Sequence, residues 1–139
     1  MVQKRFNNIY GIRLIQGEDF LQKLKEFAKQ HNLTNAIILN GVGMLKNAEI
    51  GYYENGKYII ETIESPVELV STNGNMFFDP EGKLDWHIHV ALAKRSHELV
   101  GGHLTGGKVW NTAEIFVQTI PGAKFVKEIE DGNPRLNFK

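Results

Sequence analysis

Three histidines stand at a spacing that lets them act together: His87 and His89, two residues apart, and His103 beyond a polar break. In an extended chain successive side chains point to opposite faces. Asp85, His87 and His89 therefore share one face of the stretch Asp85–Leu92, and Trp86, Ile88, Val90 and Leu92 share the other. Such a strand has a dry side and a histidine side. The segment Ala93-Lys94-Arg95-Ser96-His97-Glu98 reads as the connection of a β-hairpin into Leu99-Val100. A turn centred on Ser96 sets Leu92 opposite Val100, Ala91 opposite Gly101 and His89 opposite His103. Directly opposed residues hold their Cβ atoms roughly 4.5–5.5 Å apart, with the diagonal neighbour still in reach. Three imidazoles then meet on one face.

Three neutral imidazoles with a fourth position left open form a zinc arrangement suited to a bound water or substrate rather than to a purely structural ion. The chain has no cysteine, so histidine is its natural ligand for a transition metal. The expected cofactor is zinc or a similar divalent transition metal, held by His87, His89 and His103. The arrangement depends on register, because one extra residue bulged at Gly101-Gly102 turns His103 to the other face. In that case the three are polar residues on a wet sheet face or a subunit interface. His97 falls within the connection and reads as solvated. His31 closes a helix, where a cation suits the helix dipole.

The elements that must position these residues follow from periodicity. Met1 to Asn7 is polar and reads as a frayed or edge segment, and Asn8–Ile15 as a strand carrying Arg13. Arg13 is a solvated strand residue, or the cation for an anionic ligand if its face looks into a cleft. Gly17-Glu18-Asp19 opens a helix to about His31, with Phe20, Leu24, Phe27 and Ala28 on one side. Strands are expected over residues 35–39, 48–53, 57–63 and 67–72. Asn40 to Met44 reads as a glycine-bearing turn, and Asn55-Gly56 is a strong two-residue hairpin signal. Thr105-Gly106-Gly107-Lys108 marks a further hairpin into a strand from Val109 to Ile120. That hairpin sets His103 opposite Trp110 and puts Glu114 on the same face, which makes Glu114 the best carboxylate for proton transfer near a metal. Four residues beyond Trp110, it reaches the metal only through strand curvature or a neighbouring subunit, and otherwise it is a solvated or ion-paired residue. The tail from Ala123 holds one more short strand at most. The sum is an α+β domain spanning residues 1–139, a curved, mainly antiparallel, barrel-like sheet covered by one main helix.

Composition narrows the function classes. Sixteen basic and sixteen acidic side chains cancel, which removes the global field that draws a protein to nucleic acid or to a membrane surface. The N-terminus lacks a signal-peptide core and no apolar run approaches the length of a membrane span, so a cytoplasmic location is expected.

The ordered set Arg13-Leu14, Gly17-Glu18-Asp19, Gly41-Val42-Gly43, Ala48-Glu49-Ile50-Gly51-Tyr52, Glu68-Leu69, Gly74-Asn75, His87-Ile88-His89-Val90-Ala91-Leu92, Gly101-Gly102-His103-Leu104 and Ala113-Glu114-Ile115 resembles the plants and prokaryotes conserved (PPC) domain. The resemblance covers almost the whole chain. It implies a mixed domain that assembles as a homotrimer, neighbouring subunits joining through their sheets. Plant members join this domain to AT-hooks and act as nuclear, DNA-associated regulators. This chain has no Arg-Gly-Arg-Pro hook and no basic excess, so minor-groove binding through inserted arginine has no agent here. Stand-alone prokaryotic members carry a DNA-binding label by analogy, which is inference from fold. Ser65-Pro66-Val67-Glu68-Leu69-Val70 takes the place of a plant partner-binding motif, which only Glu68 and Leu69 follow, and reads as a buried strand. The family's fold is also similar to that of acetolactate decarboxylase, whose zinc is held by a His-x-His pair and a later histidine. That likeness maps onto His87, His89 and His103 only.

Three functional classes follow. The first is a metal-binding trimer that senses or regulates through a small anionic ligand. The second is a zinc-dependent hydrolase or decarboxylase-like enzyme. The third is a nucleic-acid-associated protein, which the family analogy suggests and the charge balance opposes.

Overall fold

Alternating apolar and polar residues dominate the chain, and the computed structural model, which describes all 139 residues, turns them into nine strands and one helix. In order these are β1 (Val2–Phe6), β2 (Ile9–Ile15), α1 (Phe20–Gln30), β3 (Ala36–Glu54), β4 (Lys57–Ile63), β5 (Val67–Phe78), β6 (Leu84–Ala93), β7 (Leu99–Gln118), β8 (Phe125–Glu130) and β9 (Asn133–Phe138). This is the α+β class expected. The sheet curls because its central strands pair in a cycle: β3 with β5, β5 with β6, β6 with β7, and β7 back with β3. The remaining strands extend this ring, with β4 on β3, β2 and β1 beyond β7, and β8 and β9 beyond β5.

The helix begins where Asp19 accepts a hydrogen bond from the Gln22 amide at 3.0 Å, satisfying one of the amides that a helix start leaves free. Its buried side is Phe20, Leu24, Phe27 and Ala28, as the periodicity required. That side packs against β6 and β7. From β6, Trp86, Ile88, Val90 and Leu92 belong to the same apolar core. Burying each large side chain of this kind contributes about 1.5–3 kcal/mol, which anchors β6 with its apolar face inward and its histidine face outward.

Three expectations are corrected. Asn40–Met44 is not a turn, since β3 runs through it as one strand with irregular pairing to β7 around Ile38–Asn40 and Gly43–Leu45. Gly43 serves a close approach: a Cβ there would collide with the Thr112 carbonyl oxygen of β7. Thr105–Lys108 is likewise no hairpin, because β7 continues through Gly106 and Gly107 opposite a bulged part of β3. Glycine marks turns and close strand contacts alike, and here packing against β3 chose the second. The tail forms two strands rather than one. Asp131 and Gly132, both at positive φ, close the β8–β9 hairpin, and Val126 pairs in parallel with Phe78 of β5. The N-terminal segment is an ordered edge strand on β2.

Candidate metal centre

The β6–β7 hairpin pairs Ala93 with Leu99, Leu92 with Val100, Ala91 with Gly101, Val90 with Gly102 and His89 with His103, without a register shift. The glycine pair is thus not a bulge. Gly101 is required because a Cβ would strike the Val90 carbonyl oxygen, so the two strands approach at full register and carry His103 to the histidine face. The hairpin parts at this pair. Beyond it β7 leaves β6 and pairs with β3, where His103 lies opposite Gly51, and farther along with β2, while β6 pairs with β5, where His87 lies opposite Asn75. Paired residues share a face, so Phe77 and Asn75 of β5 join Asp85, His87, His89 and His103 there.

One ring nitrogen from each histidine lies within 4.8 Å of the others. The Nε2 atoms of His87 and His89 are 3.1 Å apart. A tetrahedral zinc with nitrogen ligands at 2.0–2.1 Å separates those nitrogens by roughly 3.3 Å, so this pair already stands near ligand spacing. The ring centroids are 4.9 Å apart for His87 and His89, 5.2 Å for His87 and His103, and 5.6 Å for His89 and His103. The Nδ1 of His103 is buried with no hydrogen-bond partner, a state that costs about 1–3 kcal/mol unless something outside the chain supplies one. The Tyr58 ring stacks on His103 at 4.4 Å and 16°. Gly51 leaves room for that stack, since a Cβ there would come within 2.9 Å of the tyrosine ring. A preoriented, all-nitrogen, partly orphaned donor set is what a borderline-soft divalent ion requires.

The electrostatics suit ligation. Burial pushes the His87 imidazolium down to a pKa of about 4, with the Lys127 charge and then His89 and His103 adding to the effect. His103 is also held below the ordinary imidazole range by burial, then by His89 and Lys127, with Asp85 opposing. Both rings are therefore neutral at pH 7, the form in which imidazole binds a metal. Asp85 shares their face but is engaged by Lys25 at 2.9 Å.

The other candidates lie elsewhere. Arg13 and Glu114 are both exposed and face each other across β2 and β7. Glu114 stands eleven residues beyond His103 on one continuous strand, on the order of 30 Å away along the chain. The expected return at Gly106-Gly107 does not occur, so one chain does not bring Glu114 to the histidines. His31 ends the helix as expected, and its Nε2 lies 2.6 Å from Gln3 Oε1. His97 sits exposed in the hairpin connection at φ 69°. Sequence reasoning missed Tyr58 and Lys127. Tyr58 follows the recognised Asn55-Gly56 turn, and its approach to His103 needs β4, β3 and β7 side by side. Lys127 was signalled only by Asp131-Gly132, an unread hairpin dipeptide. A surface groove of about 570 Å³ lies between residues 61–67 and Lys94–Ser96 and contains none of the three histidines.

Comparison with known proteins bears on this geometry. Residues 1–121 match the Plants and Prokaryotes Conserved (PCC) domain. The chain is 34% identical to a PPC protein of Pyrococcus horikoshii, with a TM-score of 0.83 over 96% of this chain and 91% of that one. It is 28% identical to the metal-containing protein AF0104 of Archaeoglobus fulgidus, with a TM-score of 0.81 over 95% and 94% of the two chains. A Ralstonia eutropha protein named for a suspected DNA-binding role shares the fold, at 23% identity and a TM-score of 0.88 over 97% and 94%. Among curated proteins, the bifunctional protein GlmU of two Synechococcus strains matches at 31% and 29% identity over 77% and 86% of this chain. The chain spans only 16% and 18% of their length.

Proposed function

The chain belongs to the Plants and Prokaryotes Conserved domain family, and from that premise we propose that it is a metal-binding protein whose His87, His89 and His103 hold zinc or a similar divalent ion with one position open to a small anionic ligand. The observation that carries this reading is the convergence of three ring nitrogens within 4.8 Å, one ring having a buried nitrogen with no partner in the chain. The metal would supply Lewis acidity and a place for an oxygen ligand. The chain's own part is to keep two of the imidazoles neutral by burial and to orient His103 by the Tyr58 stack. The metal-containing relative from Archaeoglobus fulgidus supports the reading.

We also propose a homotrimer. Tyr52, Tyr53, Ile59 and Ile60 on β3 and β4 leave large apolar surfaces exposed, and β4 pairs only with β3, so it has an open edge for a second copy. A regulatory or sensing role fits better than turnover, because Asp85, the carboxylate two residues before His87 on that face, is already engaged by Lys25. A hydrolase or decarboxylase-like reaction would require a proton-transferring group from the ligand or from another subunit. Nucleic-acid binding, suggested by the names of relatives, has no support in a net charge of zero. No helix is long and apolar enough to cross a membrane.

The test is elemental analysis of zinc-reconstituted, dialysed protein alongside His89→Ala and His103→Ala. About one ion per chain is expected in the parent and little in either variant. Equal content in all three removes the site.

A further inference from the structure

The strand that follows the family-matched residues, β8, delivers a cation to the histidine face. Lys127 lies on β8, beyond residue 121 where the family match ends. Its ammonium stands 4.0 Å above the centre of the Phe77 ring. Phe77 pairs with Asp85 on β6, and the next residue of that face on β6 is His87, a diagonal neighbour within roughly 7–8 Å. Lys127 is half-buried and makes no ion pair and no side-chain hydrogen bond, whereas the nearby Asp85 is engaged by Lys25. Burial accordingly pulls the Lys127 ammonium below the usual lysine range, with Asp85 opposing. A desolvated ammonium beside an aromatic face keeps its attraction for an anion because little water screens it.

Resting on the metal-site reading above, we propose that Lys127 is the second anchor of the bound ligand, and that this ligand is a small oxyanion bridging the open metal position and the Lys127 ammonium. A divalent ion on three neutral imidazoles carries its full charge, and Lys127 adds another on the same side. Asp85, the carboxylate beside them, is ion-paired with Lys25 and makes no salt bridge to Lys127. A neutral ligand would leave that charge uncompensated. A carboxylate or a phosphate would compensate it, with one oxygen toward the metal and another toward Lys127. Arg13, the cation expected from sequence, lies across β2 against Glu114 and has no such position.

The experiment uses the full chain loaded with Co(II), whose visible spectrum reports the coordination shell, titrated with acetate and separately with inorganic phosphate. Lys127→Gln and Lys127→Arg are compared with the parent, and metal stoichiometry is measured first for each. The expected result is one cobalt per chain in all three. Anion affinity should fall about tenfold or more in Lys127→Gln and recover partly in Lys127→Arg, because a hydrogen bond between two charged partners is among the stronger ones. Whichever of the two anions shifts the parent spectrum at lower concentration identifies the oxyanion class. Full cobalt content with parent-like anion affinity in Lys127→Gln overturns the role of Lys127 and leaves the metal site standing. A parent spectrum that neither anion shifts also overturns it. Failure of the parent to bind cobalt overturns the metal reading, and this proposal with it.

Discussion

The two ends of β7 carry similar raw material and differ in what surrounds it. Near its start, His103 lies between His89 and Gly51, half-buried, with a ring nitrogen that no group in the chain satisfies. Near its end, Glu114 lies between Arg13 and Val42, exposed to water beside a residue of opposite charge. Both are polar residues on a central strand, and either type can serve in a metal enzyme. Only the first is left with an interaction to make. Charged residues in water are already satisfied, whereas partly buried neutral donors aimed at one another are not, and unsatisfied groups mark a site.

That contrast can be broken or sharpened at several points. The largest effect is expected from His103→Ala and His89→Ala. Each removes one of three ligands and should weaken metal binding by roughly 10²–10³-fold, measurable by competition with a chromophoric chelator. Parent-like affinity in either would erase the distinction between the two ends. Next, Gly101→Val forces a side chain into the Val90 carbonyl and should destabilise the protein by about 2–3 kcal/mol in urea unfolding while reducing metal content. An unchanged midpoint would mean that the close approach does not fix the register.

A smaller effect is expected from pH. The unfolded chain binds a proton at His87 near pH 6.5, whereas the folded chain resists it down to about 4. The metal-free protein should therefore lose stability as pH falls from about 6.5 to about 4, by about 1–2 kcal/mol after allowing for solvent screening, and flatten below that. In His87→Gln this part of the slope should vanish. A slope of the opposite sign would place His87 in a charged environment unlike the one described. The smallest effect is expected from Arg13→Gln and Glu114→Gln, each within about 0.5 kcal/mol of the parent in stability and with unchanged metal content. Loss of metal in Glu114→Gln would point to a neighbouring subunit that brings Glu114 into the centre.

Much of this was legible in the chain. The alternation around His87 and His89 depends on local geometry alone. Their meeting with His103 followed from one short turn, and both hold in the structure. The helix stripe and the Asn55-Gly56 hairpin were equally local. The strand continuity through Gly41–Gly43 and Gly106-Gly107 was hidden, because a glycine that opens a turn and one that admits a neighbouring backbone look alike until the neighbour is known. The same limit concealed Tyr58 and Lys127. One reaches the histidines through the pairing of β4, β3 and β7, and the other through a parallel contact between β5 and β8, residues far apart in sequence. Without a return at Gly106-Gly107, the nominated Glu114 lies toward the other end of β7 from His103.

The most direct measurement is X-ray absorption at the zinc edge of the reconstituted protein. Three imidazole nitrogens at about 2.0–2.1 Å with one further light atom are expected, the first three losing one member in His103→Ala. A shell of oxygens without imidazole scattering, or one identical in the parent and His103→Ala, would contradict a centre built from His87, His89 and His103.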